Sequence, residues 1–289
     1  MPDLADVYRA MGTLLPFEFL QPRFMRQSLL GLLLLSPMTA AMGVQVVNLR
    51  MAFFSDAISH SAFAGVALGL TLAVNPRFSA IVLALLIGLG VTFCHRRIRL
   101  SGDSVIGVFF SGVVAAGLAA ASRDRAIARS VQAFLYGDIL TIGDSEIFVL
   151  AAALPITLAF QYFAYNRMLY LGLDPVLAGA HGVKVGAWQY IFAGLLSFTA
   201  IFSVWSVGVF LVTAMLVVPA AAARNLAASA GGMFWWALLI SLSSSVAGLA
   251  VSAQDWAGTA TGATIVLAAL IWFGLSLLPI LLRGARKHA

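Results

Sequence analysis

Residues 50–70 read RMAFFSDAISHSAFAGVALGL, an apolar, small-residue stretch that carries one acid, Asp56, and one imidazole, His60. Side chains four residues apart on an α-helix lie one above the other, so this spacing aims a carboxylate and an imidazole at one point. A nitrogen and an oxygen ligand so placed suit a divalent cation. If the helix starts at Arg50, a rise of about 1.5 Å per residue puts Asp56 about 9 Å and His60 about 15 Å along it. The imidazole then lies near the middle of a hydrocarbon core about 30 Å thick. A carboxylate at such depth costs about 2.5–3.5 kcal/mol on insertion scales, so it calls for a partner or a function. The purely structural alternative bonds Asp56 to a neighbouring helix or to Ser59 and leaves His60 to satisfy a core acceptor.

The rest of the chain supplies the solvent that this reading needs. Of 289 residues 62% are hydrophobic and only 10% charged, with mean hydropathy +1.00. Soluble domains carry about 25% charged residues, so the composition is that of an all-α polytopic membrane protein. The 26 glycines fit, because small residues let helices approach closely where lipid provides no hydrophobic drive. A net charge of +6 reads here as short-loop arginines that set topology, and no nucleic-acid partner is inferred. Cys94 is the single cysteine, so no internal disulfide is expected. The first residues lack a basic n-region followed by an apolar run, so no cleavable signal peptide is expected. There is no G-x-x-x-x-G-K-[ST] loop, so any ATP that powers this chain is hydrolysed by another.

Residues 1–24 mix charges with Tyr8, Leu14, Leu15, Phe17, Phe19 and Leu20 and read as an interfacial N-terminal arm. Residues 25–289 form a single transmembrane domain. Its apolar runs lie near 28–47, 53–74, 78–93, 105–121, 147–163, 190–205, 207–223, 233–252 and 261–282, about nine transmembrane helices. An eight-span arrangement with one re-entrant run is the alternative. Residues 122–145 are a polar stretch carrying Arg123, Arg125 and Arg129. Within the loop 166–186, Asp174 as N-cap, Pro175 at the first helical position and Gly182 as the stop spell a helix too short to span. Placing the basic tail Arg283, Arg286, Lys287 inside and alternating backwards puts Arg224, the 166–186 loop, the His95–Arg99 cluster and Arg50 in the cytoplasm. The amino terminus is then outside, and ten of the seventeen lysines and arginines lie on the cytoplasmic side.

The second span is similar to the R-M-x-x-x-G-D-A-[IL]-S-H-x-x-x-P-G-V-A block of the permease family of zinc, manganese and iron ABC importers. Further segments resemble that family in the same order: Gly107-Val108-Phe109-Phe110-Ser111-Gly112, Tyr136-Gly137-Asp138-Ile139-Leu140, and GVFLVTAMLVVPAAAAR over 208–224. The likeness runs from about Met25 to Leu282. Ser55 replaces a usual glycine, Ala64 a usual proline and Ala222 a threonine. Pro175 and Val176 stand where acids are common in the family's D-E-E-L-A-x-A-x-G segment, while Asp174, Leu177, Ala178 and Gly182 are kept.

The resemblance implies a type II importer-like membrane domain in the bacterial inner membrane. Its implied partners are a second copy of itself, a cytoplasmic ATPase dimer, membrane lipid and an extracytoplasmic metal-binding protein. It implies passage of manganese, zinc or iron past Asp56 and His60, with no permanently bound cofactor and no catalysis by this chain. Two protomers bring two carboxylates and two imidazoles to the symmetry axis. Asp174, Leu177, Ala178 and Gly182 then belong to a coupling helix seated in a groove of the ATPase. Arg123, Arg125 and Arg129 are either a solvated external face or a dock for carboxylates of the metal-delivering protein. His95, His181 and His288 are assigned no site.

Two other classes compete. A secondary transporter would use Asp56 and His60 for protons or cations, and often shows inverted repeats with interrupted helices, which are not evident here. An intramembrane hydrolase would need a serine, histidine and acid on matching spans or an H-E-x-x-H motif, and neither stands out.

Overall fold

The structure is a computed structural model that describes residues 4–14, 17–98, 100–254 and 256–285. Arg99 of the basic cluster, Arg286 and Lys287 of the tail, and His288 lie outside the described residues. The helices in chain order are α1 (Ala5–Leu14), α2 (Arg23–Asn48), α3 (Ala52–Thr71), α4 (Pro76–Arg97), α5 (Gly102–Ala121), α6 (Arg125–Tyr136), α7 (Asp144–Leu173), α8 (Pro175–Ala180), α9 (Val185–Val207), α10 (Val209–Leu226), α11 (Ala230–Ser252) and α12 (Thr261–Ala285). Short 3₁₀ turns cover Glu18–Leu20 and Ile139–Thr141. Among the described residues nine helices, α2–α5, α7 and α9–α12, are long and apolar enough to cross a membrane, which bears out the all-α polytopic reading. A helix suits that solvent because every backbone bond closes within the segment.

Three boundaries differ from the sequence expectation. α3 begins at Ala52 because Arg50 adopts a left-handed φ of 56°, so the chain turns there rather than entering the helix. Asp56 and His60 therefore stand about 6 and 12 Å from the helix start instead of 9 and 15. α7 runs unbroken to Leu173, ten residues past the apolar run, since nothing stops it before Asp174-Pro175. The polar stretch 122–145 contains a helix, α6, which Asp124 caps by accepting the Ala126 amide at 2.7 Å. Pro37, Pro155, Pro219 and Pro279 sit inside membrane helices, where each removes one ladder hydrogen bond.

The chain divides into two compact units, 45–137 with 159–213, and 1–44 with 138–158 and 214–289. In the first, α3 is the central element and packs against α4, α5, α6 and α9. Phe54, Ala57, Ile58, Ala62, Ala64 and Ala67 are fully buried, so α3 is enclosed on several faces rather than one. Its glycines explain the closeness to α4. A Cβ at Gly65 would lie 2.5 Å from the Cα of Ala80, and one at Gly69 3.0 Å from the Cα of Pro76. Ser79 then donates to the Gly65 carbonyl at 2.7 Å, a bond that only such an approach permits.

The second unit is tied by polar contacts across long sequence distances. Ser36 and Ser245 share a hydrogen bond of 2.7 Å, and Ser241 donates to the Ser36 carbonyl at 3.0 Å. The amino-terminal helix is held at the start of α7: Tyr8 donates to Asp144 at 2.6 Å, joined there by Gln27 at 2.8 Å and Arg23 at 2.9 Å. Arg26 braces the turn from below by donating to the carbonyls of Leu20, Gln21 and Tyr8.

Candidate functional site

Asp56 and His60 lie one turn apart on α3, both half-buried. The Thr213 side chain, one turn into α10, lies beside the Asp56 carboxylate, while its hydroxyl donates to the Phe210 carbonyl on its own helix at 3.2 Å. Sequence reasoning missed this neighbour, because a threonine inside an apolar run carries no signal of what it faces. The His60 ring meets Phe110 of α5 edge-on, with centroids 5.1 Å apart, and has no hydrogen-bond partner among the described residues. Of the structural alternatives, the bond to Ser59 is not made among the described residues. Ser59 is fully buried and its hydroxyl has no partner among the described residues, while Ser55 and Ser61 on the same helix each donate to a carbonyl three residues earlier. Among the described residues no third histidine, cysteine or acid joins the pair.

The register of Thr213 is set by a glycine contact. Gly208, at φ 90°, separates α9 from α10, and Gly137 at the end of α6, at φ 56°, backs onto it. A Cβ at Gly137 would lie 2.4 Å from the Gly208 Cα. Phe134 of α6 packs beside Trp205 at 5.3 Å, and the Arg77 guanidinium covers the same indole at 4.8 Å.

The short helix α8 forms as the 166–186 reading expects. Asp174 accepts from the amides of Val176 at 2.7 Å and Leu177 at 3.4 Å, Pro175 occupies the first position, and Gly182 turns the chain at φ 77°. Ala178 is fully buried, whereas Val176 and Leu177 are exposed. The loop is braced by Tyr170 stacked on His181 at 5.7 Å and by Arg167 over Trp188 at 4.8 Å. Pro175 also lines a cavity of about 270 Å³, shared with Arg50, Phe54, His95, Asp103 and Gln189. That cavity opens on the face of α3 carrying Phe54, away from the face carrying Asp56 and His60.

Arg123, Arg125 and Arg129 are all exposed, and none has an ion-pair partner among the described residues. Arg123 and Arg125 flank the amino terminus of α6, where the helix dipole disfavours cations.

The ABC 3 transport family matches residues 21–279. The chain is 31% identical over 261 residues to the high-affinity zinc uptake system membrane protein ZnuB of Haemophilus influenzae, covering 90% of this chain and 97% of that protein. It is 29% identical over 274 residues to the manganese import system permease protein ScaB of Streptococcus parasanguinis, covering 93% and 95%. The solved structure of PsaBC from Streptococcus pneumoniae in complex with Fab has a TM-score of 0.75 at 27% identity, covering 94% of this chain and 95% of that one. Nine apolar helices among the described residues and a family match over residues 21–279 converge: the chain belongs to the ABC 3 transport family and is a multi-pass membrane permease.

Proposed function

We propose that this permease is the membrane-spanning subunit of an ATP-driven importer of divalent transition metal, manganese, zinc or iron, in the bacterial inner membrane. It works beside a second copy of itself. A cytoplasmic ATPase dimer supplies the force, and an extracytoplasmic binding protein delivers the ion. The observation that carries the reading is the Asp56–His60 pair, half-buried in the central helix of its unit with one nitrogen and one oxygen ligand. Zinc and manganese systems among the relatives support the cargo class. Two borderline ligands per protomer hold an ion briefly, and a second protomer completes a site from which it can still leave.

In this account residues 1–24 are an interfacial arm and 25–289 the transport domain. Within loop 166–186, α8 is the coupling element: Asp174 and Gly182 fix its ends, Ala178 anchors it, and Leu177 faces the ATPase. Arg123, Arg125 and Arg129 receive the acidic surface of the binding protein, the use that best explains unpaired cations at a helix amino terminus. The test is co-purification with an ATPase and a binding protein, reconstitution into liposomes, and uptake of each metal with and without ATP. ATP-dependent uptake of one of the three is expected; uptake that ignores ATP would replace this account with a secondary transporter.

A further inference from the structure

Ser55, Ser59 and Ser61 are all fully buried on α3, yet their hydroxyls are used differently. Ser55 and Ser61 each turn back to donate to the carbonyl three residues earlier, as a serine inside a helix readily does. The Ser59 hydroxyl does not, and it bonds to nothing among the described residues. Its oxygen keeps both lone pairs, and a buried hydroxyl left unmatched costs stability, so its presence calls for a use. Its place on the helix supplies one. Ser59 follows Asp56 by three residues and directly precedes His60. Side chains three and four residues apart on a helix are neighbours, with Cβ atoms about 5–6 Å apart, so the three form one triangle on α3 whose members can share an ion. Asp56 and His60 are half-buried, and Ser59 is the covered corner.

We propose that Ser59 is a specificity-determining residue of the Asp56–His60 station: its hydroxyl oxygen is a third, neutral ligand that tilts selection toward manganese and ferrous iron and away from zinc. This rests on the reading of Asp56 and His60 as the station. Two protomers of that pair give four donors, the number that zinc closes as a tetrahedron. Two hydroxyl oxygens raise it to six, an oxygen-rich octahedral set that suits manganese and ferrous iron better. Because the added donors carry no charge, they select the ion without holding it so firmly that it cannot leave.

The test is ATP-dependent uptake of manganese, ferrous iron and zinc by S59A in liposomes carrying the complete transporter, beside the Tm of the purified protein. Alanine fits the space of serine and removes an unmatched hydroxyl, so Tm holds or rises. The kcat/KM for manganese and for ferrous iron, each divided by that for zinc, falls about tenfold. S59T keeps the oxygen and restores both ratios. If its extra methyl keeps S59T out of the membrane, electron paramagnetic resonance of Mn²⁺ bound to the purified complex makes the comparison, with about tenfold weaker binding expected in S59A than in wild type. Wild-type ratios or wild-type Mn²⁺ binding in S59A, or equal losses for all three metals together with a lower Tm, would overturn the proposal. D56A separates the two levels: uptake retained by D56A removes the station itself, whereas uptake lost in D56A beside wild-type ratios in S59A removes only the role of Ser59.

Discussion

Gly137 and Gly208 touch backbone to backbone, both at positive φ, so that a methyl on the first would lie 2.4 Å from the Cα of the second. This contact joins the end of α6 to the start of α10. Alanine at Gly137 meets a left-handed φ and a backbone atom that cannot yield, and alanine at Gly208 meets a positive φ of 90°. G137A and G208A are expected to cost about 2 kcal/mol or more and to lower Tm in detergent. G107A is the control, because a Cβ at Gly107 meets nothing within 4 Å. Unchanged Tm in both glycine variants would mean that the contact is not maintained.

Tyr8 fastens the amino-terminal helix to Asp144, and burial followed by that hydrogen bond pushes its phenol well above the ordinary value. A raised folded-state value means that the contribution is complete below the unfolded value of about 10 and is lost as pH rises beyond it. Y8F should therefore destabilise by about 1 kcal/mol at neutral pH, with the deficit shrinking only in strongly alkaline buffer. Hydrogen exchange across residues 5–14 reads it directly. Equal protection in wild type and Y8F at pH 7 would refute the fastening.

Gly182 closes the α8 loop at φ 77° with open space around it, so its constraint is backbone conformation and not packing. G182V should keep the ATPase bound and hydrolysing but lose metal uptake, while G182N, tolerant of left-handed φ, retains most of both. Parallel ATPase and uptake assays separate these outcomes. Full uptake by G182V would count against α8 as the coupling element.

Reversing Arg123, Arg125 and Arg129 to glutamate should raise the binding-protein concentration needed for half-maximal uptake about tenfold at low salt. The gap should narrow as ionic strength approaches about 0.5 M, because exposed charges are screened beyond a Debye length. A salt-independent or absent effect would return these arginines to an ordinary solvated face.

How much was legible in the sequence divides along physical lines. The spans were readable because a membrane demands long apolar runs, and α8 because Asp174, Pro175 and Gly182 act locally. The Asp56–His60 turn was readable from spacing alone. α6 was hidden because Arg125, Arg129, Ser130 and Gln132 interrupt its few large apolar residues, Ile127, Phe134 and Leu135, so the segment averages to polar. The start of α3 was misplaced because the left-handed Arg50 turn has no local signature. Thr213 and Tyr8 were invisible as partners, since contacts between residues 56 and 213 or 8 and 144 exist only once the helices pack.

The most direct measurement is ATP-dependent metal uptake by D56A and H60A in liposomes carrying the complete transporter, with membrane insertion verified. The account predicts that each substitution abolishes uptake of the metal that the wild type imports while the protein stays folded and inserted. Uptake at the wild-type rate in both variants would contradict it.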